Sequence, residues 1–169
     1  MIRLTTPNDL HWLPEIERSA STAFASLDLS LGPLETAPAD AWRAPCLAGT
    51  VWVAEDAGRP VGFLAAERVP GGLHVLELDV AREHQGRGLG RWLLGHVQAW
   101  ARAEGATFVS LTTFREVPWN APFYRSMGFV EASGAALTPR LAALVAAETA
   151  KGLPDRCAMV WASGSDPEA

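Results

Sequence analysis

Short runs rich in Val, Leu, Phe and Trp, each bounded by turn residues, punctuate the middle of the chain. TVWVAE (50–55) and PVGFLAAERV (60–69) flank the turn DAGR and predict a β-hairpin. Pro70-Gly71-Gly72 turns the chain again, and LHVLELDV (73–80) alternates apolar and polar positions with the period of a strand. Beyond it the period changes. Leu89, Leu93, Val97 and Trp100 recur at helical spacing, and Gly105 ends that helix. TFVSLTTF (107–114) reads as a strand. Asn120 stands as an N-cap, Pro122 in a first turn where its missing N–H costs little, and Gly128 just past a helix end. GFVEAS then begins a strand, TPRLAALVAAETAKG (138–152) is helical, and RCAMVWA (156–162) is the last strand before a frayed SGSDPEA tail.

The N-terminal part is less regular. Ile2 to Leu4 predicts a short first strand, and Pro7-Asn8-Asp9 caps a helix running to about Phe24, with Leu10, Leu13, Ile16 and Ala20 on one face. Residues 30–46 hold four prolines or glycines and predict a short helix between loops. No repeat, low-complexity tract or dividing linker interrupts the 169 residues, so a single domain over 1–169 is expected.

Composition narrows the function classes. Hydrophobic residues make up 49% and charged residues 20%, enough for a substantial core. A formal net charge of -5 argues against nucleic acid as a partner and suits cationic ligands such as amines. Cys46 and Cys157 match no metal spacing and read as small buried hydrophobes; no metal is expected. The start MIRLTTPNDL has no apolar core of a secretory signal, and no run reaches membrane-helix length, so a cytoplasmic protein without membrane contact is expected. His84 and His96 read as exposed, and most of the seven tryptophans as core.

The stretch HQGRGLGRWLL (84–94) carries the candidate chemistry. It is no Walker loop, because no Gly-Lys pair is followed by Ser or Thr. The dinucleotide fingerprint fails as well, since the sixth position from Gly86 is Arg91 and from Gly88 is Leu93. What stands between strand and helix is Gln85-Gly86-Arg87-Gly88-Leu89-Gly90. Glycines let a backbone approach a bulky anion with successive N–H groups turned toward it, and a helix starting there adds its positive dipole end. Arg87 and Arg91 add formal charge. An ordinary tight strand-to-helix turn would use the same glycines.

Gln-x-x-Gly-x-Gly after such a strand resembles the acetyl-CoA loop of the GCN5-related N-acetyltransferases (GNAT). WNAPFYRSMGF (119–129) is similar to that family's second cofactor segment, and residues 73–130 carry the resemblance. It implies an α/β (α+β) fold: a mixed, mostly antiparallel central sheet with helices on both faces, whose strands LHVLELDV and TFVSLTTF run parallel and splay around the cofactor. It also implies acetyl-CoA as co-substrate, bound by Gln85, Gly86, Arg87, Gly88, Leu89, Gly90 and Arg91 at the pyrophosphate. The main chains of Asp79 and Val80, with Asn120, Phe123 and Tyr124, would hold the pantetheine end. The helix at 139–150 is longer than the family's usual connection there and could cover the acceptor.

Acetyl transfer to an amine requires a neutral nucleophile, although an alkylamine has a pKa of about 10.4. It also requires a proton for the departing thiolate. By the resemblance Tyr124, the one tyrosine of the chain, is the acid; its other reading is an aromatic packing beside Phe123. Glu77 is the favoured base, directly or through a water, and His74 the alternative, on the opposite strand face if alternation is strict. Trp119 and Glu77 are candidate contacts to the acceptor. The expected activity is direct attack by a small-molecule or protein amine in a ternary complex. A non-catalytic acyl-CoA-binding module is the alternative, and a homodimer is compatible with either.

Overall fold

The computed structural model describes residues 1–27 and 34–164; part of the 30–46 segment and the end of the SGSDPEA tail lie outside them. Seven strands form one open, mostly antiparallel sheet in the order β1-β2-β3-β4-β5-β7-β6. They are β1 (Ile2–Leu4), β2 (Val51–Asp56), β3 (Arg59–Val69), β4 (Gly72–Val80), β5 (Phe108–Phe114), β6 (Val130–Glu131) and β7 (Arg156–Ala162). β4 and β5 pair in parallel, with register from Gly72↔Phe108 to His74↔Ser110. The expected α/β (α+β) class, with its mixed sheet and the parallel β4–β5 pair, is what the chain adopts. Among the described residues no helix is long and apolar enough to cross a membrane.

Two compact units divide these elements. The first comprises Met1–Arg68 and Val75–Val97. Its core joins Leu10, Leu13, Ile16, Trp42, Val51, Val53 and Phe63. Helices α1 (Leu13–Ser21), α2 (Arg43–Leu47) and most of α3 (Leu89–Ala103) belong to it. A continuous helix from Pro7 to Phe24 does not form. Pro7–Trp12 is a 3₁₀ turn, α1 starts only at Leu13, and Thr22–Ser26 is 3₁₀ again. Pro14 supplies the reason: its ring would collide with the carbonyl four residues back, so an α-helix tolerates it only in its first turn. The cap is Thr6 rather than Pro7-Asn8-Asp9, with Asp9 Oδ2 accepting from the Thr6 N–H at 2.8 Å. The described part of 30–46 likewise splits, into a 3₁₀ turn at Ala39–Trp42 and then α2.

The second unit holds Val69–His74 and the chain from Gln98 onward. Here β5 and β7 pair over seven positions, from Phe108↔Ala162 to Phe114↔Arg156. Helix α4 (Ala121–Arg125) is short, and α5 (Pro139–Ala150) is capped by the Thr138 hydroxyl, which accepts from the Leu141 N–H. Leu141 packs with Ala132 and Ala158. Glu148 of α5 accepts from Thr112 Oγ1 at 2.7 Å and pairs with Arg156 at 2.8 Å, tying the helix to β5 and β7. Of the tryptophans, Trp42, Trp52 and Trp161 are buried, Trp12 is half-buried against the first unit's core, Trp100 is half-buried, and Trp92 and Trp119 are exposed. Both cysteines are buried and free.

Candidate cofactor and acceptor site

In the first unit, β4 ends against β3 with no space to spare. The Ala81 N–H donates to the Val61 carbonyl at 2.9 Å. A Cβ on Gly62 would lie 3.0 Å from the Asp79 carbonyl oxygen and 3.2 Å from Val80 Cγ2. After a 3₁₀ turn at Arg82–His84 the chain reaches Gln85, whose Nε2 donates back to the Val80 carbonyl at 2.9 Å. Arg82 Nη1 donates to Gln85 Oε1 at 3.0 Å and fixes that amide's orientation. The glutamine thus clamps the loop to the strand end.

Gly86 and Gly88 follow with φ of 75° and 82°. A Cβ on either would meet no protein atom within 4 Å, so what demands glycine here is the left-handed backbone rather than crowding within the chain. The Trp92 N–H donates to the Gly88 carbonyl at 2.9 Å, so the amides of Leu89 and Gly90 precede the first bond of α3. Amides at the positive end of a fifteen-residue helix, behind two left-handed glycines, form an arrangement suited to a phosphate-like anion. Arg87 and Arg91 are exposed beside it. Farther along α3, Gly88, Arg91, Trp92, Gly95 and His96 line a surface concavity of about 470 Å³. His84 is only half-exposed, contrary to expectation, because its ring reaches the Asp56 carboxylate at 3.4 Å.

Glu77 is partly buried on β4. Beside it Asp79 turns a carboxyl inward: Oδ2 has neither solvent nor a hydrogen-bond partner among the described residues. Burial, then the neighbouring Glu77 and Glu17 carboxylates, hold the Asp79 carboxyl well above the usual carboxylate range. Burial also pushes the Glu17 carboxyl up, although both its oxygens accept from the Ala37 N–H, at 3.2 and 3.1 Å.

The remaining candidates stand in the second unit. His74 is buried, with Nδ1 2.9 Å from Ser110 Oγ. The Ser110 hydroxyl donates to the Leu73 carbonyl at 3.4 Å, which leaves its oxygen to accept from Nδ1–H. Desolvation and then the Arg140 charge, partly offset by Glu148, pull the imidazole down to about 4. Tyr124 is also buried, its ring edge-on to Phe123 at 5.2 Å and Phe129 at 5.8 Å. The Asn120 carbonyl accepts from the Tyr124 N–H at 2.9 Å. Asn120 occupies the N-cap position of α4, but its side chain makes no cap; Nδ2 donates to the Trp119 carbonyl at 3.2 Å. Trp119 is 38% exposed beside it.

Residues 48–131, from the start of β2 through β6, match the model of the acetyltransferase (GNAT) domain. This chain belongs to the GNAT acetyltransferase family. Rat (Rattus norvegicus) N-acetyltransferase family 8 member 2 is 37% identical over 87 residues, which span 48% of this chain and 38% of that protein. The match therefore spans well under half the length of such relatives. Over nearly the whole chain the fold is similar to that of the ribosomal-protein-S18-alanine N-acetyltransferase from Escherichia coli. There the TM-score is 0.72 at 18% identity, covering 99% of this chain and 96% of the other. It is similar also to PaiA N-acetyltransferase from Thermoplasma acidophilum in complex with coenzyme A, with a TM-score of 0.66 at 15% identity, covering 96% and 98%. The GNAT match contains both the glycine loop and the Asn120–Tyr124 segment, and ends before α5 and β7.

Sequence reading missed two groups in this GNAT chain. Asp79 was expected to act through its main chain; its side-chain carboxyl is also turned inward, with Oδ2 shut from solvent. Glu17 carried no signal beyond being a polar position on α1 next to the buried Ile16. The i, i+2 spacing of Glu77 and Asp79 did hold one, because on a regular strand it puts both on the same face.

Proposed function

We propose that the chain is an acetyl-CoA-dependent N-acetyltransferase, one domain over 1–169, that transfers an acetyl group to a primary amine by direct attack in a ternary complex. The observation that carries this is the anion cradle: Gln85 clamped to Val80, left-handed Gly86 and Gly88, and the open amides at the head of α3. A pyrophosphate matches it in charge and in the backbone approach that it needs. In this proposal Gln85, Gly86, Arg87, Gly88, Leu89, Gly90 and Arg91 hold the pyrophosphate. The main chains of Asp79 and Val80, with Asn120 and Phe123, hold the pantetheine arm.

Tyr124 gives its phenolic proton to the departing coenzyme A thiolate. Glu77 takes a proton from the attacking ammonium, directly or through a water, so that the neutral amine adds to the thioester carbonyl. His74 is the alternative base, kept neutral near pH 7 by the burial and the Arg140 charge that pull it down to about 4. Trp119 contacts the acceptor. A cytoplasmic location and a homodimer belong to the same proposal. The test is acetyl-CoA-dependent thiol release across a panel of amines, beside calorimetry of acetyl-CoA binding. Binding without release for any amine would replace the transferase by an acyl-CoA-binding module, and absence of binding would reduce the glycine loop to a turn.

A further inference from the structure

The concavity on α3, about 470 Å³ in volume, is lined by Gly88, Arg91, Trp92, Gly95 and His96, whose spacing of three and four residues puts them on one face of the helix. Gly88 belongs to the cradle as well, so the concavity opens directly from it. Two residues give it its character. Trp92 is 56% exposed and offers an indole surface to solvent. Gly95 lies inside the helix without the left-handed backbone of Gly86 and Gly88, at a position where glycine is costly against alanine. A side chain there would stand on the floor of the concavity. His96 bounds the far side, its ring 6.4 Å from the buried Trp52 of β2. The exposed Arg87 and Arg91 make this end of α3 cationic in a chain of net charge -5.

Trp92 stands four residues beyond Gly88, about 6 Å along the helix axis. The ribose that joins the pyrophosphate of coenzyme A to its adenine bridges a gap of that size. Adenine is planar with two π-faces, and an exposed indole beside an anion site is a platform for such a ring. We propose that Trp92 is the surface on which the adenine of acetyl-CoA stacks, with Gly95 keeping the floor open and His96 bounding it, so that the chain selects a coenzyme A thioester over an acyl-phosphopantetheine. This rests on the cofactor reading of the cradle and adds to it what selects the donor. The cradle takes the pyrophosphate of any such donor, whereas Trp92 meets only one that carries the nucleoside.

The experiment is calorimetric titration of the full chain with acetyl-CoA and with S-acetyl-4′-phosphopantetheine, which has the same acyl arm and lacks the adenosine. Trp92→Ala, checked for folding by circular dichroism, should weaken acetyl-CoA roughly 5- to 100-fold and leave acetyl-phosphopantetheine unchanged. Trp92→Phe keeps an aromatic face and should recover most of that loss. Adenosine 3′,5′-bisphosphate, the nucleotide half of coenzyme A, should quench tryptophan emission in the wild type and much less in Trp92→Phe. Acetyl-CoA affinity unmoved by Trp92→Ala, or both donors weakened alike, would overturn the proposal. The two readings fail separately. Acetyl-CoA bound through Trp92 with no thiol released to any amine overturns the transferase and leaves the adenine platform. Thiol release from amines with acetyl-CoA affinity indifferent to Trp92→Ala does the reverse.

Discussion

The pair His74–Ser110 makes acid stability a quantitative test of the second unit. Buried and hydrogen-bonded as the neutral Nδ1–H form, His74 binds a proton at about 4 in the folded chain and near 6.5 when unfolded. Between those values the unfolded state carries more protons, so folding stability falls as pH drops through this window and is full above 6.5. The linkage is worth about 2 kcal/mol at pH 5 and about 3 kcal/mol once both states are protonated below pH 4. His74→Gln removes the titration and retains an amide that can bond Ser110. Its own cost is independent of pH, so it shifts the stability curve without tilting it. Urea denaturation of both proteins between pH 7.5 and 4.5 reads the difference. Wild type should lose about 2 kcal/mol more than the variant on going from pH 7.5 to 5. Curves that fall in parallel would show that His74 binds protons alike in both states, and the neutral buried imidazole would be wrong. Asp9 does not confuse the comparison: its carboxyl is held low by Arg3, so its stabilisation is lost only in stronger acid, and equally in both proteins.

Three further outcomes test the proposed chemistry. Gly88→Glu puts a carboxylate and a side chain at a left-handed position facing open space, and should abolish acetyl-CoA binding by calorimetry while the fold persists; unchanged affinity would remove the loop from the cofactor site. Tyr124→Phe keeps the ring between Phe123 and Phe129, and turnover should drop roughly 10- to 1000-fold with acetyl-CoA affinity nearly unchanged. Wild-type turnover in that variant would discard the acid role. Glu77→Gln should lower kcat/KM and abolish the acidic limb of the rate profile, whereas His74→Ala should keep the limb; the opposite pattern would move the base to His74.

The strands and the glycine loop were legible because their signals are local. Hairpin turns at 56–59 and 70–72, alternation in LHVLELDV and the Gly-x-Gly of the loop each constrain backbone within a few residues, and the strand limits fall within a residue or two of those expected. The N-terminal helix was misread although its signal was equally local. Pro14 sits one turn inside the stretch expected to be helical, and a proline there starts a helix rather than continuing one. His84 was misread for a different reason. Its half-burial depends on Asp56, a residue from the preceding hairpin with no sequence relation to the loop.

The carboxyl cluster is the clearest case of what spacing can and cannot convey. Glu77 and Asp79 at i and i+2 announce a shared strand face, but alternation alone cannot say whether that face meets water. Leu76, the strand neighbour of Glu77, is 39% exposed. A further group is Glu17, sixty residues earlier in sequence, whose carboxylate is held by the Ala37 amide and, after burial and Glu77, also raises Asp79. A reading limited to one strand therefore picks Glu77 as a base by its type and place. With α1 packed in the same unit, the question becomes how one proton is distributed among acids that repel each other. Burial raises Asp79 most, so in the proposed chemistry Asp79 would hold that proton and Glu77 would be the carboxylate that accepts one from the amine.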